Sequence, residues 1–164
     1  MIVVSDATAI NHLARAGLLH LLARMLGTVV VPVAVFNELQ ADQTPSIVRE
    51  IVGSKPEWLH VMQASIVVDA ELDELDQGER EAIILTEELH ADFLLMDEKK
   101  GRGIALQRGI NLIGTLGLLE KAALGGLVDF RDALESLKAT GFYLSRDLEM
   151  NFLTRFPEGE KDNA

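Results

Sequence analysis

Asp92-Phe93-Leu94-Leu95-Met96-Asp97 is an apolar run enclosed by two acids, and it decides the fold class of the 164-residue chain. Its length and charged boundaries favour a buried strand, which lies between predicted helices over residues 77–89 and 98–108. A second apolar run, Ile2-Val3-Val4-Ser5, also ends at an acid, Asp6. Strands that alternate with helices favour parallel pairing and right-handed crossovers. The sequence therefore predicts an α/β domain around a mostly parallel central sheet.

The rest of the chain continues this alternation as far as residue 156. There is no internal repeat or linker, so we expect one domain over residues 1–156 and a polar, disordered tail over 157–164. An apolar helix face with leucines at positions 18, 19, 22 and 26 suits either the core or a dimer surface. The remaining predicted strands are residues 29–31, 59–62, 66–68 and 110–113, and the remaining helices are 8–16, 18–26, 32–39, 45–52, 115–124, 130–140 and 146–156.

Composition limits the functions that this chain can have. It contains no cysteine, which excludes disulfides, thiolate zinc sites and cysteine nucleophiles. Its net charge of -11 argues against broad, non-specific binding to nucleic acid, because phosphate neutralisation needs Lys and Arg. The longest apolar run, residues 29–36, is too short to cross a bilayer, and the start lacks the basic and apolar regions of a signal peptide. We therefore expect a cytoplasmic protein without membrane contact.

Two acids stand immediately after the two best strands. Asp6 follows the run that begins at Ile2, and Asp97 follows the run that ends at Met96. In open parallel sheets, sites form in the crevice beyond the carboxyl ends of the strands, so both side chains are expected there. The alternative is that each Asp only caps the helix that follows it. The two placements together favour a shared site.

Two glutamates are the other candidates. Glu79 shares its predicted helix face with Ala82 and Ile83, which indicates an inward-facing carboxylate. Its alternative role is stabilisation of the helix N-terminus through the helix dipole. Glu38 follows Val35 by three positions on a short helix, so it is expected to face inward or to lie at an edge. The alternative for Glu38 is an ordinary exposed side chain at a helix end.

Four inward carboxylates repel one another unless protons or a cation neutralise them. Mg²⁺ or Mn²⁺ would resolve this, because these hard cations prefer oxygen ligands and usually keep several waters. Such a site has room for a phosphate group and an attacking water. The constellation therefore suits phosphodiester hydrolysis.

Four ordered segments carry a resemblance to a known family. They are Val3-Val4-Ser5-Asp6-Ala7-Thr8, Val31-Pro32-Val33-Ala34-Val35-Phe36-Asn37-Glu38-Leu39, Gly78-Glu79-Arg80-Glu81-Ala82-Ile83 and Leu94-Leu95-Met96-Asp97. In order and spacing they resemble the PIN-domain family, which includes the VapC-like toxin ribonucleases. The stretches 114–119 and 125–127 look like a poorly characterised branch of that family.

The resemblance implies a three-layer α/β/α fold and a divalent-metal-dependent endoribonuclease. It implies that Asp6, Glu38, Glu79 and Asp97 are catalytic residues that bind Mg²⁺ or Mn²⁺, and that Thr8 supports Asp6 or a metal-bound water. It also implies frequent homodimers, an RNA substrate and, for a toxin of a type II toxin–antitoxin pair, a protein antitoxin. The sequence departs from the family pattern in three places: Glu79 replaces a common Asp, Thr8 replaces a common Asn, and Leu95-Met96 lacks a common hydroxyl residue.

Cationic residues follow Asp97, the acid at the end of the strand that ends at Met96. Lys99 and Arg102 are three residues apart on one predicted helix face. One interpretation is that they hold a substrate phosphate or steady Glu79 or Asp97. The alternative is a set of surface salt bridges, each of which contributes little to stability.

Two other functions compete with RNA cleavage. The first is a non-catalytic PIN-like module that binds nucleic acid or protein, although such a module has no physical reason to keep all four acids together. The second is a phosphatase with Asp6 as nucleophile, which lacks a second Asp two residues later to act as the acid. The acidic quartet therefore favours the nuclease.

Overall fold

The structure is a computed structural model that describes residues 1–159, and its centre is a five-stranded sheet. All the strand pairings are parallel, which confirms the predicted α/β class. The spatial order is β3-β2-β1-β4-β5. The strands are β1 (Ile2–Ser5), β2 (Thr28–Pro32), β3 (Leu59–Met62), β4 (Phe93–Leu95) and β5 (Leu112–Ile113).

Helices cover both faces of this sheet and give it three layers. α5 and α6 pack on one face, and the other helices pack on the opposite face. A short 3₁₀ helix, Ala70–Leu72, precedes α5. Within residues 1–159 the α-helices are α1 (Ala7–Arg15), α2 (His20–Leu26), α3 (Val33–Leu39), α4 (Ser46–Gly53), α5 (Gln77–Glu88), α6 (Lys99–Gln107), α7 (Thr115–Leu124), α8 (Phe130–Lys138) and α9 (Arg146–Arg155).

The strands are apolar on both sides because both faces of the sheet are buried. Val3 of β1 belongs to the core under α1, and its neighbour Val4 belongs to the core under α5. This alternation explains why the strands appear as continuous apolar runs rather than as alternating patterns. The leucines at positions 18, 19, 22 and 26 are all buried within this chain, so they are core residues.

The chain order produces a crevice between β1 and β4. The chain builds β2 and β3 outward on one side of β1, and then returns through α5 to place β4 on the other side. Such a switch point is where ligands bind in open α/β sheets. Asp6 and Asp97 follow the two strands that border it, and the Asp6 amide donates to the carbonyl of Leu95 (3.2 Å). The structure therefore places both strand-end acids at the predicted crevice.

The strand predicted over residues 66–68 is wrong. Ile66 and Val68 are fully exposed and lie in an irregular segment between β3 and the 3₁₀ helix. The three β-branched residues have a local preference for extended backbone, but a strand also needs a neighbour that completes its hydrogen bonds. Residues 160–164 of the predicted tail lie outside the described residues. No helix within residues 1–159 is long and apolar enough to span a membrane.

Candidate active site

Asp6 is the most deeply buried acid of the crevice, with 2% of its surface exposed. Its Oδ1 accepts a hydrogen bond from the Ala9 amide (3.1 Å) and so caps α1, whereas the buried Oδ2 accepts no hydrogen bond from any residue that the structure describes. Burial raises the pKa of this carboxyl to about 8, against the lowering effect of the Ala9 bond, and the charges of Asp97 and Glu79 add to the rise. A buried oxygen without a donor destabilises the protein unless a proton or a cation satisfies it.

Asp97 is held by α7 rather than by the helix that follows it. Oδ1 accepts from the Thr115 amide (2.8 Å), and Oδ2 accepts from the Thr115 hydroxyl. Glu98 caps α6 instead, because its carboxylate accepts from the amides of Lys100 (2.9 Å) and Gly101 (2.6 Å). Asp6 thus caps the helix that follows it, whereas Asp97 does not, and the Asp97 carboxylate remains at the crevice.

Glu79 forms a reciprocal pair with Asp76 at the start of α5. Asp76 Oδ1 accepts from the Glu79 amide (2.8 Å), and Glu79 Oε2 accepts from the Asp76 amide (3.3 Å). This is a capping box, which supplies a local reason for an acid at this position. Glu79 is nevertheless partly buried, and burial together with the charges of Asp76 and Glu98 raises its pKa to about 7. Glu79 therefore both stabilises α5 and adds charge to the crevice.

Glu38 lies at the rim of the site on α3. It is exposed, and it lines a cleft of about 410 Å³ together with Asp76 and Gly78. A Cβ atom at Gly78 would lie 3.2 Å from Glu38 Oε2 and 3.3 Å from Val35 Cγ2, so glycine permits the close approach of α3 and α5. Although the residue as a whole is exposed, partial desolvation of its carboxyl group and the charge of Asp76 raise the pKa of Glu38. The charge of Asp76 thus couples the Glu38 carboxylate electrostatically to the other acids.

Asp76 is the acid that the sequence reasoning missed. Its charge raises the pKa values of Asp6, Glu38 and Glu79, so it lies electrostatically at the centre of the cluster. The signal was present as an Asp three residues before a Glu at a helix start, which is the spacing of a capping box. Glu81 also lines the Glu38 cleft, and its buried Oε2 has no hydrogen-bond partner among residues 1–159.

The three predicted supporting residues are placed differently from one another. Thr8 is exposed and borders the cavity that Asp97 also lines, whereas the hydrogen bond to the Asp6 carboxylate comes from the Ala9 amide. Arg102 lies near Asp97 and donates from Nη1 to the carbonyl of Met96 (2.7 Å). Lys99 is exposed on another side of α6, in a depression that does not include Asp97. The structure brings Arg102 to the site and leaves Lys99 away from it.

Charge effects link the acids, through Asp76 in the case of Glu38, but the acids do not form a ready-made metal site. Among the residues that the structure describes, no group of three or more His, Asp or Glu side chains is placed to hold a metal ion. Hydrogen bonds to Asp76 and Thr115 hold the carboxylates of Glu79 and Asp97 separately. The residues nevertheless fit a hard cation, because every donor is a carboxylate oxygen and the buried Asp6 Oδ2 has no partner within residues 1–159.

The metal-free protein is expected to lose stability as the pH rises from about 4 to about 8, and Asp6→Asn should reduce this loss. The folded state keeps a proton on Asp6 up to a pKa of about 8, whereas the unfolded chain releases it near 3.8. Between these values the native state binds more protons, so Asp6 lowers the free energy of unfolding by up to about 1.4 kcal/mol per pH unit. Chemical denaturation of both proteins across this range measures the difference. Equal slopes would contradict the assignment to Asp6.

The comparisons with known proteins agree with this architecture. The family model DUF3368, described as a PIN domain, matches residues 2–158. No curated protein matches the chain. The matched range includes the whole sheet and all four acids predicted from the sequence. The chain therefore belongs to the PIN-domain family.

Proposed function

We propose that this protein is a divalent-metal-dependent endoribonuclease whose catalytic, metal-binding residues are Asp6, Glu38, Glu79 and Asp97. The observation that carries the proposal is Asp6, a buried acid whose pKa is raised by burial and by the charges of its acidic neighbours. Its Oδ2 has no hydrogen-bond partner in the described part of the chain. PIN domains are generally nucleases, which supports phosphodiester hydrolysis as the reaction class. Mg²⁺ or Mn²⁺ is the proposed cofactor because carboxylate oxygens suit these cations.

The proposed site residues differ in how they would contribute to metal binding. A bound divalent cation would supply positive charge against the phosphate oxygens. Asp6 is fixed by the Ala9 amide and Asp97 by Thr115, so two carboxylates have defined positions. The raised pKa values of Asp6 and Glu79 mean that metal binding near neutral pH displaces protons from them. Because the acids do not form a ready-made site, the cation would also have to draw their carboxylates together.

A biological role completes the proposal. We infer a single PIN-like domain over residues 1–156 that acts in the cytoplasm as the toxin of a type II toxin–antitoxin pair, with a protein antitoxin as its partner. This inference rests on the resemblance to VapC-like toxins, and the homodimer rests on the same resemblance. Co-purification with the product of an adjacent small gene tests the antitoxin. The mass of the isolated protein in solution tests the homodimer.

The first test measures metal binding and RNA cleavage together. Wild-type protein with Mn²⁺ or Mg²⁺ is expected to cleave RNA internally, and a chelator should stop the reaction. Mn²⁺ should also raise the thermal midpoint more at about pH 8 than at about pH 5, because protons compete with the cation for Asp6 and Glu79. Cleavage that continues at full rate in the chelator would contradict the proposal.

A non-catalytic binding module is the second candidate. It is favoured by one observation, namely that no three acidic or histidine side chains in the described part of the chain are placed to hold a metal. RNA binding without cleavage in either metal, and without a metal-dependent change in the thermal midpoint, would select this candidate over the nuclease.

A further inference from the structure

A groove of about 780 Å³ opens beside Asp97 and is distinct from the Glu38 cleft. It lies at the β4–β5 side of the sheet, along the edge strand β5 and the first turns of α7. Residues of the segment that leads into α9, including Phe142, Tyr143 and Ser145, form its outer wall. The Glu38 cleft lies on the β2–β3 side, between α3 and α5. A strand of nucleic acid that crosses the crevice therefore meets two different surfaces.

The two surfaces differ in charge. Among residues 1–159, the charged side chains that line the Glu38 cleft are Glu38, Asp76 and Glu81, without any Lys or Arg, so the cleft repels phosphate groups. The groove also contains Asp97 and Glu98, but Arg102 and Lys121 line it. Neither cation forms a salt bridge with a carboxylate among residues 1–159. In a chain with a net charge of -11, these free cations favour the groove as the place for a phosphate backbone.

The cations are held in position by the framework. Arg102 is anchored by its hydrogen bond to the carbonyl of Met96, one residue before Asp97. Arg102 and Asp97 both border Gly114. A Cβ atom added at this glycine would lie 3.0 Å from Arg102 Nη1 and 3.1 Å from Asp97 Oδ1. The Lys121 ammonium lies 5.4 Å from the centroid of the Phe93 ring. These contacts leave polar hydrogens of both side chains available to an anion.

The outer wall supplies aromatic surface for a base. Tyr143 is 87% exposed, so its ring is accessible to a ligand, and it borders the groove. Beside it, Phe142 is half-buried and packs edge-on against His12 with ring centroids 5.4 Å apart. Aromatic rings beside cations that can bind phosphate groups are a kind of surface on which single-stranded nucleic acid binds without sequence readout.

We propose that this groove binds the single-stranded RNA on one side of the scissile phosphate, with a base against Tyr143 and phosphates at Arg102 and Lys121. This inference rests on the proposed nuclease function and assigns the surface and the side chains of this chain that hold its substrate. The substrate is held on the groove side of the crevice, because the Glu38 side is acidic. The predicted phosphate role of Arg102 is retained here, whereas Lys121 replaces Lys99 as the second cation.

Tyr143 provides a direct probe because it is the only tyrosine of the chain. Protein labelled with 3-fluorotyrosine gives one ¹⁹F resonance, which is followed in a chelator during titration with single-stranded oligouridylate. We expect a saturable shift, and Lys121→Gln should raise the dissociation constant about tenfold. Lys55→Gln is the matched control, since the Lys55 ammonium lies 5.2 Å from the Phe36 ring centroid and outside the groove.

Steady-state kinetics supply the second measurement. Lys121→Gln and Tyr143→Ala should each raise KM for single-stranded RNA about tenfold while kcat changes less than about twofold. If wild-type protein cleaves RNA normally but KM is unchanged in both variants and the ¹⁹F resonance does not move, the proposal for the groove is refuted. The proposal that the protein is a nuclease would then still stand. A shift in a protein that never cleaves would support the groove and refute the nuclease. A shift that depends on protein concentration without RNA would assign the groove to a second copy of this chain and overturn the proposal.

Discussion

Asp6→Asn is expected to lower metal-dependent RNA cleavage at least about 100-fold, and to leave the metal-free protein as stable as wild type or more stable at neutral pH. Asn ranks with Asp as a helix N-cap, so the bond from the Ala9 amide to the side-chain oxygen can remain. The substitution removes the buried ionisable group and the anionic ligand together. Removing residues that only support metal ligands costs about 10- to 100-fold, so loss of a ligand should reach or exceed that range.

Two measurements and one control make this prediction specific. Cleavage is measured at saturating Mn²⁺, and the free energy of unfolding is measured in a chelator at the same pH. Asp129→Asn is the matched control, because the Asp129 carboxylate caps α8 by accepting from the Asp132 amide (3.0 Å) and lies outside the crevice. A parallel loss of activity and stability in Asp6→Asn would indicate unfolding rather than a lost ligand, and full activity would contradict the site.

The positions of the acids were predictable where the backbone alone determines them. Asp6 and Asp97 follow buried strands, and the carboxyl ends of neighbouring parallel strands meet at one edge. Apolar runs in the sequence were sufficient to find those strands. The same reasoning failed for residues 66–68, because a strand depends on a partner that local sequence does not reveal.

Side-chain bonding across the site was less predictable. Thr115 lies 18 positions after Asp97, and only the pairing of β4 with β5 brings the start of α7 to that carboxylate. Asp97 and Glu98 both stand next to the start of α6, and it is Glu98 that caps this helix. Asp76 could have been recognised from its spacing to Glu79, but its effect on Glu38 depends on how closely α3 and α5 pack at Gly78.

Helix N-termini explain how the fold tolerates this many acids. Backbone amides at the starts of α1, α5, α6 and α7 donate to Asp6, Asp76, Glu98 and Asp97 respectively. Each bond and each helix dipole favours the charged carboxylate. For Asp6 and Glu79, however, burial and neighbouring charges have a larger effect than the backbone amides that donate to these two carboxyl groups. The pKa values of both groups are therefore raised. The crevice is therefore partly neutralised by the backbone and retains a deficit of positive charge that a cation can fill.

Asp97→Asn is the second substitution expected to lower cleavage at least about 100-fold. The Asn side chain can still accept from the Thr115 amide, so the start of α7 should remain in place while the anionic charge is lost. Thr115→Val should have a smaller effect, about tenfold, because it removes only the hydroxyl donor and keeps the amide. The expected order of activity is therefore wild type, then Thr115→Val, then Asp97→Asn.

Asp92→Asn is the matched control for Asp97, because the two acids flank the same strand. Asp92 lies at the amino end of β4, where its Oδ2 accepts from the Ile2 amide (2.7 Å) at the edge of the sheet opposite the crevice. Its replacement removes the same charge from the chain and should leave kcat within about twofold of wild type. If both substitutions lowered cleavage equally, net charge or strand stability would account for the loss. If only Asp97→Asn lowered it, with Mn²⁺ affinity reduced in parallel, the loss would belong to the carboxyl end of β4.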